Sequence, residues 1–213
     1  MAARRKLLAD PWLTPKARAQ VRDAIVAIEQ QTSAEIVVTV AGRAGDYRHA
    51  DARCGALLSL LALLVYFFYP APLPDDLALL LAVLCYPLGM AIAAVAAPLR
   101  RLVVRKQLLR ENLRREARSR FVEQGIGNTR GRTGVLVFVS RFERGAAVVP
   151  DLGIPVATMG AAWQVVTQAL DQTARSKDIA PFLAALAELG RALAAAVPRA
   201  ADDQNELPDE VNG

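Results

Sequence analysis

Two long uncharged stretches near the middle of the chain constrain the fold more than any other feature of the sequence. They cover residues 54–74 and 77–99. Each is close to the roughly 20 residues that a helix needs to cross a hydrocarbon core about 30 Å thick. Ser59 is their only clearly polar side chain, whereas a helix buried in a soluble protein usually keeps a polar stripe. The sequence therefore predicts a transmembrane helical hairpin, with spans at residues 54–73 and 77–97.

The overall composition agrees with a chain that is partly embedded in lipid. Hydrophobic residues make up 54% of the 213 residues, charged residues make up 22%, and the mean hydropathy is +0.24. These values exclude a disordered chain and are high for a fully soluble one. Two cysteines and one histidine leave no zinc cluster of the usual kind and no disulfide framework.

The charges on either side of the two stretches predict their orientation. The connection holds Asp75 and Asp76 and no basic residue, whereas basic residues precede the first stretch and follow the second. Because positive residues stay on the cytoplasmic side, we expect both termini in the cytoplasm. The basic residues just after the second stretch are expected to contact anionic lipid headgroups. They are Arg100, Arg101, Arg105 and Lys106.

The sequence before the hairpin predicts one helix and one strand. Thr14 followed by Pro15 is typical of a helix start, and apolar residues at helical spacing continue to about residue 31. The run EIVVTV at residues 35–40 is β-branched and bounded by polar residues, which indicates a buried strand.

The sequence after the hairpin predicts a helix, two strands and two closing helices. The helix covers residues 99–124 and ends at Gly125, and the strands at 134–140 and 146–150 are joined by a tight reversal. The closing helices lie at about 156–173 and 179–197. No aromatic stacking platform accompanies the arginines of 100–120, so we expect no nucleic-acid partner.

These elements resemble the TPM domain family. The resemblance rests on AIVAIEQQTSAEIVVTV before the hairpin and on ARSRFVEQGIGNTRGRTGVLVFVSRFERGAAVVPDLGI after it, and NELPD at 205–209 is similar to the tail of bacterial membrane-bound members. It implies a three-layer α/β/α sandwich with a small mixed sheet, here interrupted by the transmembrane hairpin, in a bacterial inner-membrane protein. The predicted domain boundaries follow, with the TPM-like domain at 1–53 and 98–198, the hairpin at 54–97 and an acidic tail at 199–213.

The resemblance also implies candidate ligand residues. Some members bind calcium, and the corresponding segments here contain Asp10 and Asp151. Calcium needs six to eight oxygen ligands, so such a site would draw on many carbonyls and waters. The favoured interpretation is that Asp10 belongs to an entry segment and that Asp151 ends a strand. Asn128, Thr129 and Arg132 complete the candidate ligand or partner contacts.

Catalytic motifs are not evident in the sequence. GNTRGRTG at 127–134 lacks the lysine and the spacing of a phosphate-binding loop, no G-x-S-x-G occurs, and His49 stands apart from any nucleophile motif. We therefore predict no catalytic residue and no resident metal. Members of the family act as accessory proteins of membrane complexes or as phosphatases. The favoured hypothesis is a cytoplasm-facing accessory module for a membrane protein, and the alternative is a metal-dependent phosphatase.

Overall fold

The computed structural model describes residues 12, 14–71, 74–200 and 206–207. In these residues the chain is mixed α/β, with one three-stranded sheet. The helices, renumbered in chain order, are α1 Pro15–Glu29, α2 Arg48–Phe68, α3 Asp75–Val95, α4 Ala97–Val103, α5 Lys106–Glu123, α6 Val156–Met159, α7 Ala161–Thr173 and α8 Ala180–Ala196. The strands are β1 Glu35–Ala41, β2 Gly134–Ser140 and β3 Gly145–Pro150.

The chain divides into two compact units. The sheet unit combines Met1–Ala44 with Glu111–Gly213, and the hairpin unit is Gly45–Arg110. Two separate parts of the sequence therefore build one unit, and the apolar stretches lie in the other.

The sheet is mixed because β1 and β2 run parallel while β2 and β3 run antiparallel. The strand order is β1-β2-β3, and Glu35 is paired with Gly134 at the start of the parallel ladder. A parallel pair needs a long crossover connection, and here the whole hairpin unit lies within that crossover. The reversal between β2 and β3 confirms the predicted β-hairpin.

Both faces of the sheet are buried against helices. Successive strand residues point to opposite faces, so alternate residues of β1 and β2 enter two different apolar clusters. One cluster contains residues of α1, α7 and α8, and it includes Ile36, Val38, Val135 and Val137. The other contains residues of α5, and it includes Val37, Leu136 and Phe138. The three predicted strands are thereby confirmed, and β1 is buried as predicted.

The start of α1 is formed as the sequence predicts. Thr14 has an extended backbone, and its Oγ1 accepts a hydrogen bond from the backbone N–H of Ala17 at 3.2 Å. This bond satisfies one of the donors that the first helical turn leaves unpaired. Val21, Ile25 and Ile28 form the buried stripe.

Two of the predicted helices are interrupted. The helix predicted at 99–124 is wrong as one element, because α4 ends at Val103 and α5 begins at Lys106, with an extended backbone at Val104. The helix predicted at 156–173 is divided at Gly160 into α6 and α7. The predicted end at Gly125 is confirmed: this residue has φ of 64°, a left-handed conformation that glycine adopts without steric cost.

In the hairpin unit, α2 and α3 are long and apolar enough to cross a membrane, as judged by length and composition. Their bounds differ from the predicted spans, since α2 begins six residues earlier, at Arg48, and α3 ends at Val95. The helices approach closely at Gly89, where an added Cβ would lie 2.8 Å from the carbonyl oxygen of Cys54. Ser59 donates a hydrogen bond to the carbonyl of Ala82 at 2.7 Å.

An ion pair in the hairpin unit joins α4 to the first turn of α2. Arg100 of α4 contacts Asp51 of α2 through two bonds, Nε to Oδ1 at 2.6 Å and Nη2 to Oδ2 at 2.8 Å. This two-bond geometry is the strong form of an arginine–carboxylate pair. The guanidinium of Arg100 is thus engaged within the unit, although the sequence suggested that it contacts lipid headgroups.

The core on the α7 side of the sheet gives the first testable prediction. We expect Leu170→Ala to lower the free energy of unfolding by about 2–5 kcal/mol, because it empties a buried site. Trp12 and Trp163, the two tryptophans of the chain, both lie in this core. Their fluorescence during denaturation of the detergent-solubilised protein is the measurement.

Val165→Ala on the same helix is the matched control. The Val165 side chain is 65% exposed, so this change should stay within about 0.5 kcal/mol of the parent. Equal costs for the two variants would contradict the assignment of the buried face of α7.

Candidate binding site in the loop 127–134

Four of the five candidate residues lie at one junction of the sheet unit. The loop 127–134 connects the end of α5 to the start of β2, and Asp151 follows β3 directly. Because β2 and β3 are antiparallel, the start of β2 and the end of β3 meet at the same end of the sheet: the N–H of Asp151 donates to the carbonyl of Gly134 at 2.8 Å. The loop therefore joins a helix to a strand, which is the opposite order to a phosphate-binding loop.

Arg132 and Asp151 form the central contact of this junction. The Arg132 Nε lies 2.8 Å from Asp151 Oδ2, and its Nη2 lies 3.0 Å from Oδ1. The Asp151 side chain is only 3% exposed, whereas that of Arg132 is 55% exposed. The hydrogen bond to Asp151, together with the charge of that carboxylate, raises the pKa of Arg132 above its usual value. Because the pKa of this cation is raised, its contribution to stability is full at physiological pH and is lost only at strongly alkaline pH.

The backbone of Arg132 is held in an unfavourable conformation. Its φ is 55°, in the left-handed region that side chains other than glycine seldom adopt. The N–H of Arg132 donates to the carbonyl of Thr129, and its own carbonyl accepts from Gly153. These bonds and the ion pair together hold the residue in this conformation.

Two threonines hold the loop in place through hydrogen bonds of their side chains. The Oγ1 of Thr129, a buried residue, accepts from the backbone N–H of Thr133 at 3.0 Å. The Oγ1 of Thr133 donates to the carbonyl of Ser33 at 2.8 Å. Thr129 therefore has a structural role in the loop, because its side chain is buried and its hydroxyl oxygen is used within the chain.

The exposed side chains of this junction form what we call the loop surface. Its members are exposed and include a polar amide, two cations and one large apolar side chain. They are Asn128, Arg130, Arg132 and Leu152. Leu152 is 87% exposed.

The Asp151 carboxylate does not fit calcium in this arrangement. Oδ1 accepts from Arg132 and from the N–H of Leu152 at 2.8 Å, and Oδ2 accepts from Arg132. A cation would have to displace a guanidinium already bound to both oxygens. Among the residues that the structure describes, no three His, Cys, Asp or Glu side chains are grouped as a metal ion would require. Asp10 lies outside the described residues, so the calcium site stays a prediction.

Sequence reasoning missed two acidic residues that belong to this site. Glu206 of the tail accepts a hydrogen bond from the N–H of Arg130 through Oε2, at 2.8 Å. Its own N–H donates to Oε1 of Glu35 at 3.3 Å. The tail is acidic and the loop is basic, and this opposite charge is the sequence signal that could have indicated a contact between them. Composition alone does not show which acidic residue makes the contact.

Comparison with known proteins adds one structural similarity. No protein-family model matches this chain, and no curated protein matches it. The NMR structure of the BA42 protein from the psychrophilic bacterium Bizionia argentinensis is similar, at 18% sequence identity over 94% of each chain, with a TM-score of 0.49. Similarity at this level assigns neither a family nor an activity.

The strained backbone of Arg132 gives the second prediction. Arg132→Ala and Arg132→Gly both remove the ion pair with Asp151, but only glycine adopts φ of 55° without steric cost. We expect the glycine variant to be more stable than the alanine variant by about 0.5–1 kcal/mol, after allowing for the greater freedom of glycine in the unfolded chain. Denaturation followed by tryptophan fluorescence measures the difference. An alanine variant as stable as the glycine variant, or more stable, would contradict the account of strain.

Proposed function

We propose that this chain is a membrane-anchored protein of the TPM type, whose α/β/α domain binds a membrane protein as an accessory module. The hairpin unit is the anchor, and the loop surface is the contact with the partner. In this proposal the protein lies in the inner membrane of a bacterium, with the sheet unit and both termini in the cytoplasm.

The exposed apolar surface of the hairpin unit supports the anchor. A core helix of a soluble protein buries its apolar side chains, whereas many large apolar residues of α2 and α3 are more than half exposed. They include Leu57, Leu61, Val65, Phe67, Phe68, Leu79, Leu84 and Val95. Such a surface needs a covering, and two helices of this length and composition suit a bilayer.

The distribution of charge supports the proposed orientation. Asp75 and Asp76 lie in the first turn of α3, at the connection between the two helices. Basic residues are concentrated at the other end, as the positive-inside rule requires for a cytoplasmic location. The proposed contacts with anionic headgroups concern the basic residues after α3, which are Arg100, Arg101, Arg105 and Lys106.

The observation that carries the accessory role is the Arg132–Asp151 pair. It uses both carboxylate oxygens of Asp151 and so produces a rigid junction that presents Leu152 and Arg132 outward. An exposed apolar side chain beside cations on a rigid loop is suited to protein recognition. The phosphatase alternative requires Asp151 to exchange this arginine for a metal ion.

Membrane topology is the third prediction. In a chain with Cys54→Ala and Cys85→Ala, a single new cysteine at Asp76 should react with an impermeant maleimide added to spheroplasts. A single cysteine at Glu210 should react only after the membrane is opened. The reverse pattern of labelling would contradict the cytoplasmic location of the sheet unit.

Recognition by the loop surface is the fourth prediction. We expect Leu152→Ser to abolish specific co-purification of a membrane protein after mild solubilisation, because it removes the exposed apolar contact of the surface. Val165→Ser is the matched control, since Val165 is also exposed, at 65%, but lies on α7. Both variants should remain in the membrane and unfold at the denaturant concentration of the parent.

Two results would contradict the accessory function. One is co-purification no different from that of an unrelated two-span protein. The other is metal-stimulated phosphate release by the pure protein that Asp151→Asn abolishes, which would favour the phosphatase instead.

A further inference from the structure

The chain after α8 follows the turn between α1 and β1. The carbonyl of Val197 accepts hydrogen bonds from the hydroxyl of Thr32 and from the N–H of Ser33. The N–H of Ala200 donates to Oγ of Ser33 at 2.9 Å, and Arg199 donates to the carbonyl of Glu29 at 3.1 Å. The start of the tail is therefore attached to the segment that leads into β1.

Glu206 and Leu207 make a second, separate set of contacts. Besides the bond from the Arg130 N–H, the carboxylate of Glu206 lies 3.8 Å from the Arg130 guanidinium. The Glu206 N–H donates to Glu35, so one residue of the tail is contacted through both its backbone and its side chain. Leu207 packs against the apolar cluster on the α5 side of the sheet.

The two sets of contacts lie on different sides of the sheet. Val197 of the first set packs against the cluster on the α1 face, whereas Leu207 packs on the opposite face. Glu206 and Leu207 contribute one acidic and one aliphatic contact on the face of the sheet opposite to α8, and such a segment resembles a bound peptide more than a continuation of the core.

The charges of tail and loop are complementary. Residues 200–213 contain five acidic side chains and no basic one. Arg130 and Arg132 project from the loop, with side chains 85% and 55% exposed. This complementarity favours an acidic segment at the loop surface over a basic one.

We propose that Glu35, Arg130 and the adjoining apolar cluster form a binding site for a peptide with an acidic residue followed by a large aliphatic one. The chain's own Glu206 and Leu207 occupy this site. A partner segment of the same chemistry gains access by displacing the tail, so the tail regulates access to the loop surface. The inference rests on the proposed accessory function, because it specifies the chemistry of the partner at that surface.

The tail belongs to the same chain as the site, and this determines how strongly it competes with a peptide added from solution. A segment of the same chain, joined to its site by a short connection, competes at an effective concentration that reaches the millimolar range. A peptide added from solution must displace it, so its apparent affinity for the full chain is weakened. Substitution of Glu206 and Leu207 removes this competition, because these are the side chains that attach the tail. It leaves Glu35, Arg130 and the apolar cluster of the site unchanged.

The test uses the full chain in detergent and a fluorescent peptide with the sequence of residues 200–213. We expect the chain with Glu206→Gln and Leu207→Ala to bind this peptide at least about tenfold more tightly than the wild-type chain does, as measured by fluorescence anisotropy. A peptide carrying the same two changes should not bind. The matched control chain, with Asp203→Asn and Val211→Ala, also loses one acidic and one aliphatic side chain of the tail and should behave as the wild type.

Two results would overturn the inference. One is that the Glu206→Gln, Leu207→Ala chain fails to bind the peptide while its tryptophan fluorescence shows an intact fold, since the tail would then be only a structural segment. The other is that the altered peptide binds equally well. Peptide binding without co-purification of a membrane protein would support the peptide site and contradict the accessory function. Co-purification without peptide binding would support the accessory function and contradict the peptide site.

Discussion

The parallel pairing of β1 with β2 is the constraint on which the rest of the structure depends. Glu35 is paired with Gly134, so a long stretch of chain must leave the sheet and return to it. Closing a longer loop costs only about 0.6 kcal/mol for each doubling of its length. A crossover is therefore a tolerant place for an insertion, and the hairpin unit occupies it. The chain thereby gains a candidate membrane anchor without altering the order of the sheet.

The same pairing also creates the candidate site. Because β3 returns antiparallel to β2, its end meets the loop that enters β2, and Asp151 arrives beside Arg132. Each supports the other: the carboxylate is buried against a cation, and the arginine is held in a left-handed backbone conformation that it would otherwise avoid. The junction is rigid for this reason. Leu152 and the groups that Glu206 contacts are therefore held in fixed positions.

Local patterns predicted most of the elements, whereas the contacts of the candidate site depend on residues that are distant in the sequence. The Thr14 cap, the buried strands and the end of α5 at Gly125 depend on neighbouring residues, so the sequence showed them. The break between α4 and α5 at Val104 was not predicted, because no proline or glycine stands there. In the site, sequence reasoning named Arg132 and Asp151 as candidate ligand or partner contacts, but it did not show that the two side chains bind each other. The contact of Glu206 with the loop depends on the folded sheet, so no local pattern reveals it.

The central claim is that one sheet unit is built from two parts of the sequence and that the hairpin is an insertion into it. The most direct test replaces Gly45–Arg110 with a flexible glycine–serine linker and measures the cooperativity of unfolding by tryptophan fluorescence in the absence of detergent. The account predicts a water-soluble protein with a single cooperative transition, because both tryptophans and both apolar clusters lie in the sheet unit. A protein that is insoluble, or that lacks a cooperative transition, would contradict it.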